Sequence, residues 1–188
     1  MKNYRTICVL TTMLFSSILI SCGNSNPQKN SNTQDSVEKD EFSFIEKIKI
    51  KELPIIDSTN FDNYEAKSFL SKNEIEILNL SKIIPDNNVE IALNYQIKIS
   101  ENFKTLVFSF YPSENEITTI LVNYDKDYKI IDSRIIAYDE IAESWLRTTS
   151  KIEKNNLKII ENNCSSEQDI ETISNYVINE TGEIKASH

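Results

Sequence analysis

The chain has 188 residues and carries 20 lysine and arginine residues against 29 aspartate and glutamate residues, a net charge of -9 at neutral pH. This length fits a single domain of ordinary size, and the acidic balance has the wrong sign for non-specific binding to nucleic acid or for adsorption to anionic lipid by charge alone. The only histidine is His188 and there are only two glycines, so the sequence excludes a Ser-His-Asp triad, a Cys-His dyad, a histidine-liganded zinc site and a glycine-rich phosphate loop.

The N-terminus has the pattern of a secretory signal peptide. Lys2 and Arg5 form a short positive region, and residues 6–21 then carry no charge and are rich in aliphatic side chains. A membrane-spanning helix needs about 20 apolar residues, so this shorter run predicts a signal peptide over residues 1–21.

The end of this apolar run is Leu19-Ile20-Ser21-Cys22-Gly23. It resembles the lipobox of bacterial lipoproteins, in which a branched apolar residue and a small residue precede a cysteine. The resemblance implies cleavage between Ser21 and Cys22 and a diacylglyceryl group on the Cys22 thiol. Two or three acyl chains anchor a protein durably, so the domain would be tethered to a membrane. The alternative is an uncleaved short anchor with a chance cysteine.

Residues 22–41 are expected to form a disordered polar tether. Val37 is the only aliphatic residue between Gly23 and Glu41, so little apolar surface is available to offset the entropy of ordering. In the lipoprotein family an aspartate after the lipidated cysteine retains a protein at the inner membrane, and early acidic residues favour surface export. Gly23 and the absence of acids from residue 23 to residue 29 therefore imply an outer-membrane anchor with the domain facing the periplasm.

Cysteine usage leaves one thiol in the domain. Cys8 would leave with the signal peptide and Cys22 would carry lipid, so Cys164 would remain alone and no disulfide could form within the domain. We expect Cys164 to be a partly buried, unreactive thiol, with pairing between chains as the alternative.

The folded domain is expected to begin near residue 42 and to open with an N-terminal cover, residues 42–88. Ser71 and Glu74 have the spacing of a capping box and predict a short helix over residues 72–80. Pro85 and the polar residues after it would end this region. We expect the cover to lie over one edge or end of the sheet, since exposed sheet edges favour aggregation.

Residues 89–188 are expected to form strands within the same globular domain. Every odd position from Val89 to Ile99 is apolar, which is the alternation of a half-buried strand. Similar patterns, separated by short polar turns, predict strands at 103–111, 117–124, 128–138, 145–153, 157–161, 170–179 and 184–186. Gly182 is free to adopt a positive φ in the last turn.

The fold class is therefore mainly β, an antiparallel meander of seven to eight strands with a short N-terminal helix. The sheet could be bent, form a partial barrel or form a sandwich, and without long helices we expect no parallel crossover. The arrangement of signal peptide, polar tether and β-meander resembles small envelope lipoproteins of Bacteroidota, a resemblance that implies no particular activity.

Residues 138–147 contain the densest mixture of carboxylates, aromatic rings and arginine, at the longest break between predicted strands. Loops on a rigid sheet often carry function, and Trp, Tyr and Arg are enriched in binding hot spots. The candidate partner-contact residues are Tyr138, Asp139, Glu143, Trp145 and Arg147. The alternative is that Trp145 packs in the core and the acids are solvated.

Two other kinds of site receive less support. Asn123, Asp125 and Asp127 have alternate-position oxygen ligands, but Lys126 and the lack of a later Gly and Glu favour a plain hairpin turn over a calcium loop. Paired carboxylates could serve a glycosidase, but no motif selects a pair. The sequence indicates no metal or cofactor.

We therefore expect a non-enzymatic, lipid-anchored envelope protein that binds a protein or an envelope component, in an inhibitor, immunity-like or accessory role. The alternatives are a structural subunit of an outer-membrane assembly and, with less support, a carboxylate-dependent glycan hydrolase or a sugar-binding module. No nucleic-acid partner is expected.

Overall fold

The computed structural model describes residues 41–66, 68–84, 89–142, 145–164 and 169–187. In these ranges the protein is mainly β, as the sequence predicts. The strands are β1 (Ile50–Lys51), β2 (Ile55–Asp57), β3 (Ile91–Ile97), β4 (Lys104–Ser113), β5 (Glu116–Tyr124), β6 (Ile130–Glu140), β7 (Leu146–Ile152), β8 (Asn156–Asn163), β9 (Ile170–Ile178) and β10 (Ile184–Ala186). The helical elements are α1 (Ser43–Glu46), α2 (Lys72–Ile77) and a 3-10 turn (Leu80–Lys82).

The strands form one open sheet in the order β1-β3-β4-β5-β6-β7-β8-β9-β10, and β2 pairs with β7. From β3 to β10 each strand is antiparallel to the next one. The expectation of no parallel pairing is wrong, because β1 is parallel to β3. A parallel crossover needs a long connection but not a long helix, and residues 52–90 supply one that carries β2 and α2.

A β-bulge in β3 changes the face on which its apolar side chains lie. The pairing with β4 shifts between Leu93 and Tyr95, which leaves Asn94 as the extra residue. Leu93 therefore packs in one core cluster and Tyr95 in another, although both are odd-numbered. The regular alternation in the sequence predicts a strand with one buried face, whereas the bulge gives β3 two buried faces.

The sheet bends so that its two halves enclose the first core cluster. β6 and β7 pair only through Tyr138 and Thr148, and beyond that point β2 takes the place beside β7. Apolar side chains from both halves meet in this core: Ile55, Tyr95, Ile97, Ile99, Phe103, Val107, Leu121, Ile136, Ile152, Leu157, Ile159, Ile178 and Ile184. Each strand from β2 to β10 thus contributes at least one buried side chain to this core.

The N-terminal cover packs over the other face of β3, β4 and β5, and its strand β1 also pairs with β3 at the edge of the sheet. Every residue of β4 from Thr105 to Phe110 is buried, so both faces of this strand need a partner layer. Ile45, Leu78, Leu80 and Ile84 supply that layer and pack with apolar side chains of the three strands. The expected edge position does not include this packing over a sheet face, because continuous burial on two faces is not visible in the alternation pattern.

The turns have the local chemistry that the sequence predicts in two places. The Ser71 hydroxyl accepts a hydrogen bond from the Glu74 amide, and the Glu74 carboxylate accepts one from the Ser71 amide, which completes the capping box of α2. Gly182 has a φ of 89° in the turn before β10. Its carbonyl accepts a buried hydrogen bond of 2.7 Å from the Asn123 side chain, which ties this turn to β5.

Candidate binding groove

An open groove of about 640 Å³ lies between β2 and β3. The residues that line it lie within 47–51, 56–59, 63–65 and 92–95, together with Ser68. Residues 92–95 include the β3 bulge, and bulges commonly redirect side chains at functional sites. Because residues 92–95 are distant in sequence from the other lining residues, the groove exists only in the folded domain.

A buried carboxylate connects the two strands at the base of the groove. Asp57 of β2 is 3% exposed, and its Oδ1 accepts hydrogen bonds from the Thr59 amide at 3.1 Å and the Thr59 hydroxyl at 2.7 Å. Its Oδ2 accepts a 2.5 Å hydrogen bond from the hydroxyl of Tyr95, which is also buried. Burial, reinforced by Asp57, raises the pKa of Tyr95 far above its usual value, so the hydroxyl remains a donor.

A second polar chain fixes the bulge residue Asn94. The Tyr64 hydroxyl donates to the side-chain Oδ1 of Asn94 at 3.0 Å, and the side-chain Nδ2 of Asn94 donates to the Ser109 hydroxyl at 2.6 Å. Ser109 in turn shares a 2.6 Å hydrogen bond with Thr119. Burial raises the pKa of Tyr64 to about 12, which keeps its hydroxyl protonated at neutral pH. The floor of the groove is therefore a set of hydrogen-bonded polar groups with fixed orientation.

One wall of the groove carries three lysines: Lys47, Lys49 and Lys51. The Lys51 ammonium lies 3.7 Å from the centre of the Tyr95 ring, a cation–π contact, whereas the salt bridges among the described residues involve other lysines. Lys47 and Lys49 are exposed. Glu65 and Asp57 supply the negative charges of the lining, and the Asp57 carboxylate is already hydrogen-bonded. The lysine wall thus has the opposite sign to the chain as a whole.

The predicted contact cluster supports the loop that borders the groove. Asp139 is 3% exposed, and its Oδ2 accepts a 3.2 Å hydrogen bond from the Phe61 amide. Its Oδ1 forms a 2.9 Å ion pair with the Arg147 guanidinium. Asp139 is therefore buried and bonded within the domain, whereas Arg147 remains partly exposed. Asp139 holds the loop after β2 in position.

The other cluster residues lie in different environments. Trp145 is 38% exposed, so it is not the core residue that the alternative interpretation expected, and its ring faces the Arg147 guanidinium at 5.5 Å. The Tyr138 hydroxyl lies 2.8 Å from carboxylate oxygens of both Glu116 and Glu140. Burial and then these two carboxylates raise the pKa of Tyr138. Glu143 lies outside the described residues.

The possible calcium ligands and the cysteines are the remaining candidates from the sequence. Asp125 accepts hydrogen bonds from the Asp127 and Lys129 amides, so its carboxylate shapes the hairpin turn between β5 and β6, and Asn123 is buried at the end of β5. Cys164 is half-buried, and a hydrogen bond to the Asp169 carboxylate raises the pKa of its thiol, which disfavours the reactive thiolate. Ser21 and Cys22 lie outside the described residues.

Sequence reasoning missed the groove. The alternation of lysines with Ile48 and Ile50 was visible, but it is equally typical of a solvated edge strand. The sequence Asp57-Ser58-Thr59-Asn60 is typical of a turn. It does not indicate the hydrogen bond to Tyr95, which is 38 positions away. Only the approach of β2 to β3 combines these residues into one site.

Within the described residues, the helices are too short and too polar to cross a membrane. Comparison of the chain with protein-family models, with curated proteins and with solved structures finds no match.

Proposed function

We propose that the protein is a membrane-tethered, non-enzymatic lipoprotein of the cell envelope whose acidic β-domain binds a protein or an envelope component. The observation that carries the binding role is the groove between β2 and β3, where polar groups of fixed orientation converge. Largely preformed concave sites with a few positioned polar groups are typical of ligand binding. The lipobox-like sequence before Cys22 and the polar tether support the location.

The state of the buried carboxylate favours binding over hydrolysis. A glycosidase needs one carboxyl group to give up or accept a proton beside its substrate. Asp57 is 3% exposed and accepts three hydrogen bonds from Thr59 and Tyr95. These contacts give Asp57 the role of a structural link, and they support a groove that holds a ligand without transforming it.

Tethering would increase the usefulness of even weak binding. A domain held near a membrane meets other molecules of that surface at a high effective concentration, so moderate intrinsic affinity is enough. This is consistent with an inhibitor, immunity-like or accessory role. In the alternative, a structural subunit, the protein would remain in a large membrane complex throughout purification.

The experiment compares the wild-type chain with Cys22→Ala in cells, by membrane fractionation and by crosslinking followed by affinity purification. Cys164→Ala is the matched control, because it also removes one thiol but leaves the lipobox-like sequence intact. We expect Cys22→Ala to move the protein into the soluble fraction and to deplete the crosslinked partner. We expect Cys164→Ala to behave as wild type.

Two results would contradict the proposal in different ways. If Cys22→Ala stays in the membrane fraction, the lipid anchor is wrong. If the wild-type chain crosslinks to no protein and binds no envelope polymer in a pull-down from purified envelopes, the binding role is wrong.

A further inference from the structure

The groove has a chemistry that selects one class of ligand. We propose that it binds a small polyhydroxylated anion, a sugar acid or a sugar phosphate, with its acidic group against Lys47, Lys49 and Lys51. This inference rests on the binding role proposed above and names the ligand of that role.

The lysine wall provides the charge selectivity. Three lysines line the groove, whereas Asp57, one of the two acidic residues in the lining, accepts hydrogen bonds from Thr59 and Tyr95. Glu65 is the remaining carboxylate. An ammonium group is a compact donor that suits carboxylate and phosphate oxygens equally well, so both kinds of anion share this chemistry.

The size and polarity of the groove favour a small hydroxylated molecule. A volume of about 640 Å³ lies within the range of roughly 300–1,000 Å³ that is usual for small-molecule sites. Hydroxyl groups of Ser58, Thr59 and Ser68 and the amides of Asn63 and Asn94 contribute to its lining. The Ser58 and Ser68 hydroxyl groups can pair with sugar hydroxyls, whereas the Thr59 hydroxyl and the side-chain amides of Asn63 and Asn94 already donate to partners within the domain.

The net negative charge of the chain does not prevent anion binding. At physiological ionic strength the Debye length is about 8 Å, so exposed carboxylates farther away than this are largely screened. The lysines that line the groove would lie within contact distance of a bound anion. The lysines of the groove therefore affect the affinity for an anion more than the net charge of -9 does, and the net charge mainly affects the rate at which the ligand approaches.

The test is isothermal titration calorimetry of the full-length protein in non-ionic detergent. The probes are glucuronate, glucose 6-phosphate and neutral glucose. We expect at least one anion to bind and glucose to bind at least about 10-fold more weakly, because it lacks the charged contact. If glucuronate binds more tightly than glucose 6-phosphate, the natural ligand is a carboxylate, and if glucose 6-phosphate binds more tightly, it is a phosphate.

Two matched triple variants locate the binding. Changing Lys47, Lys49 and Lys51 to Gln should abolish detectable binding, and each single change should weaken it by about 3- to 10-fold. The control variant changes Lys126, Lys129 and Lys185 to Gln, which removes the same charge outside the groove. Glu65→Gln should strengthen binding by about 2- to 5-fold, because it removes the opposing charge.

Several results would overturn the assignment. The first two are equal affinity for glucose and the anions, and an equal loss of affinity in the control triple variant. The others are tighter binding of an acidic hexapeptide than of either sugar anion, and no heat of binding for any probe at about 10 mM. If crosslinking still identifies a partner while the sugar anions fail, only the ligand of the groove is wrong. If the sugar anions bind while Cys22→Ala stays on the membrane, only the tether is wrong.

Discussion

The link between Asp57 and Tyr95 gives the most direct test of how the groove is built. Tyr95→Phe keeps the aromatic ring in the core and removes one hydroxyl group. In the wild-type protein this hydroxyl donates a 2.5 Å hydrogen bond to Asp57, and both residues are 3% exposed. In the variant the Asp57 carboxylate would keep its two hydrogen bonds from Thr59 and lose the one that connects it to β3.

The size of the effect follows from the charge and burial of the acceptor. A hydrogen bond to a charged group contributes about 1.5–3 kcal/mol, and a buried acceptor that loses its donor is not readily solvated by water. We therefore expect Tyr95→Phe to lower the free energy of unfolding by about 2 kcal/mol. For a domain of this size, that corresponds to a decrease in Tm of about 4–8 °C.

The assay is urea unfolding of the full-length protein in non-ionic detergent, followed by circular dichroism. Tyr111→Phe is the matched control, because Tyr111 is half-buried and no hydrogen bond of its hydroxyl is found among the described residues. The control should change stability by less than about 0.5 kcal/mol, and the urea dependence should stay the same in both variants. A loss below about 0.5 kcal/mol for Tyr95→Phe would refute the argument that this bond holds β2 to β3.

Three further changes test other contacts. Gly182→Ala should destabilise the protein by about 1–2 kcal/mol in thermal unfolding, because φ is 89° and the new Cβ would lie 3.1 Å from the Phe103 ring. Arg147→Gln should cost about 1–2 kcal/mol in urea, because it leaves the buried Asp139 carboxylate without its cation, although Arg147 is itself 38% exposed. The pKa of Tyr64 is about 12 in the folded protein against a usual value of 10.0, so the folded state holds this proton more tightly. The stability that this provides is present below pH 10 and is lost between pH 10 and pH 12, and Tyr64→Phe should reduce that loss in urea unfolding at several pH values.

The first two of these predictions have a control variant, and the third has an outcome that would contradict it. Glu180→Ala changes an exposed residue of the same turn and should have little effect, and an equal loss there would contradict the argument from φ. Arg147→Lys keeps the cation and should recover part of the stability that Arg147→Gln loses. If Tyr64→Phe leaves the alkaline loss unchanged, burial of this hydroxyl does not contribute to the pH dependence.

Local patterns in the sequence predicted the elements well. The positions of β3 to β10 agree with the predicted strands to within a few residues, because alternation and polar turns depend on neighbouring residues alone. The Ser71 capping box and the positive φ of Gly182 were predicted for the same reason. The sequence predicted neither the parallel pairing of β1 with β3 nor the packing of the N-terminal cover over a sheet face, because both depend on residues that are far apart in the chain.

The predicted contact cluster shows the same limit at the level of single residues. Carboxylate, aromatic and arginine side chains near residue 140 were recognised from composition, but composition does not show which of them are buried. Asp139 bonds to Phe61, 78 positions earlier, and so supports a loop of the groove. Arg147 completes that support through its ion pair with Asp139.

The mainly β class and the succession of strands and turns follow from local patterns in the sequence. Its single histidine and two glycines are enough to exclude a histidine-based triad and a glycine-rich phosphate loop. Three features depend on the tertiary structure. The bulge at Asn94 places the side chains of β3 in two core clusters, and β2 pairs with β7. Asp57 accepts a hydrogen bond from Tyr95 in a groove that three lysines also line. Local propensity acts over a few neighbouring residues, whereas burial and hydrogen bonding stabilise contacts between any residues that the bent sheet brings together.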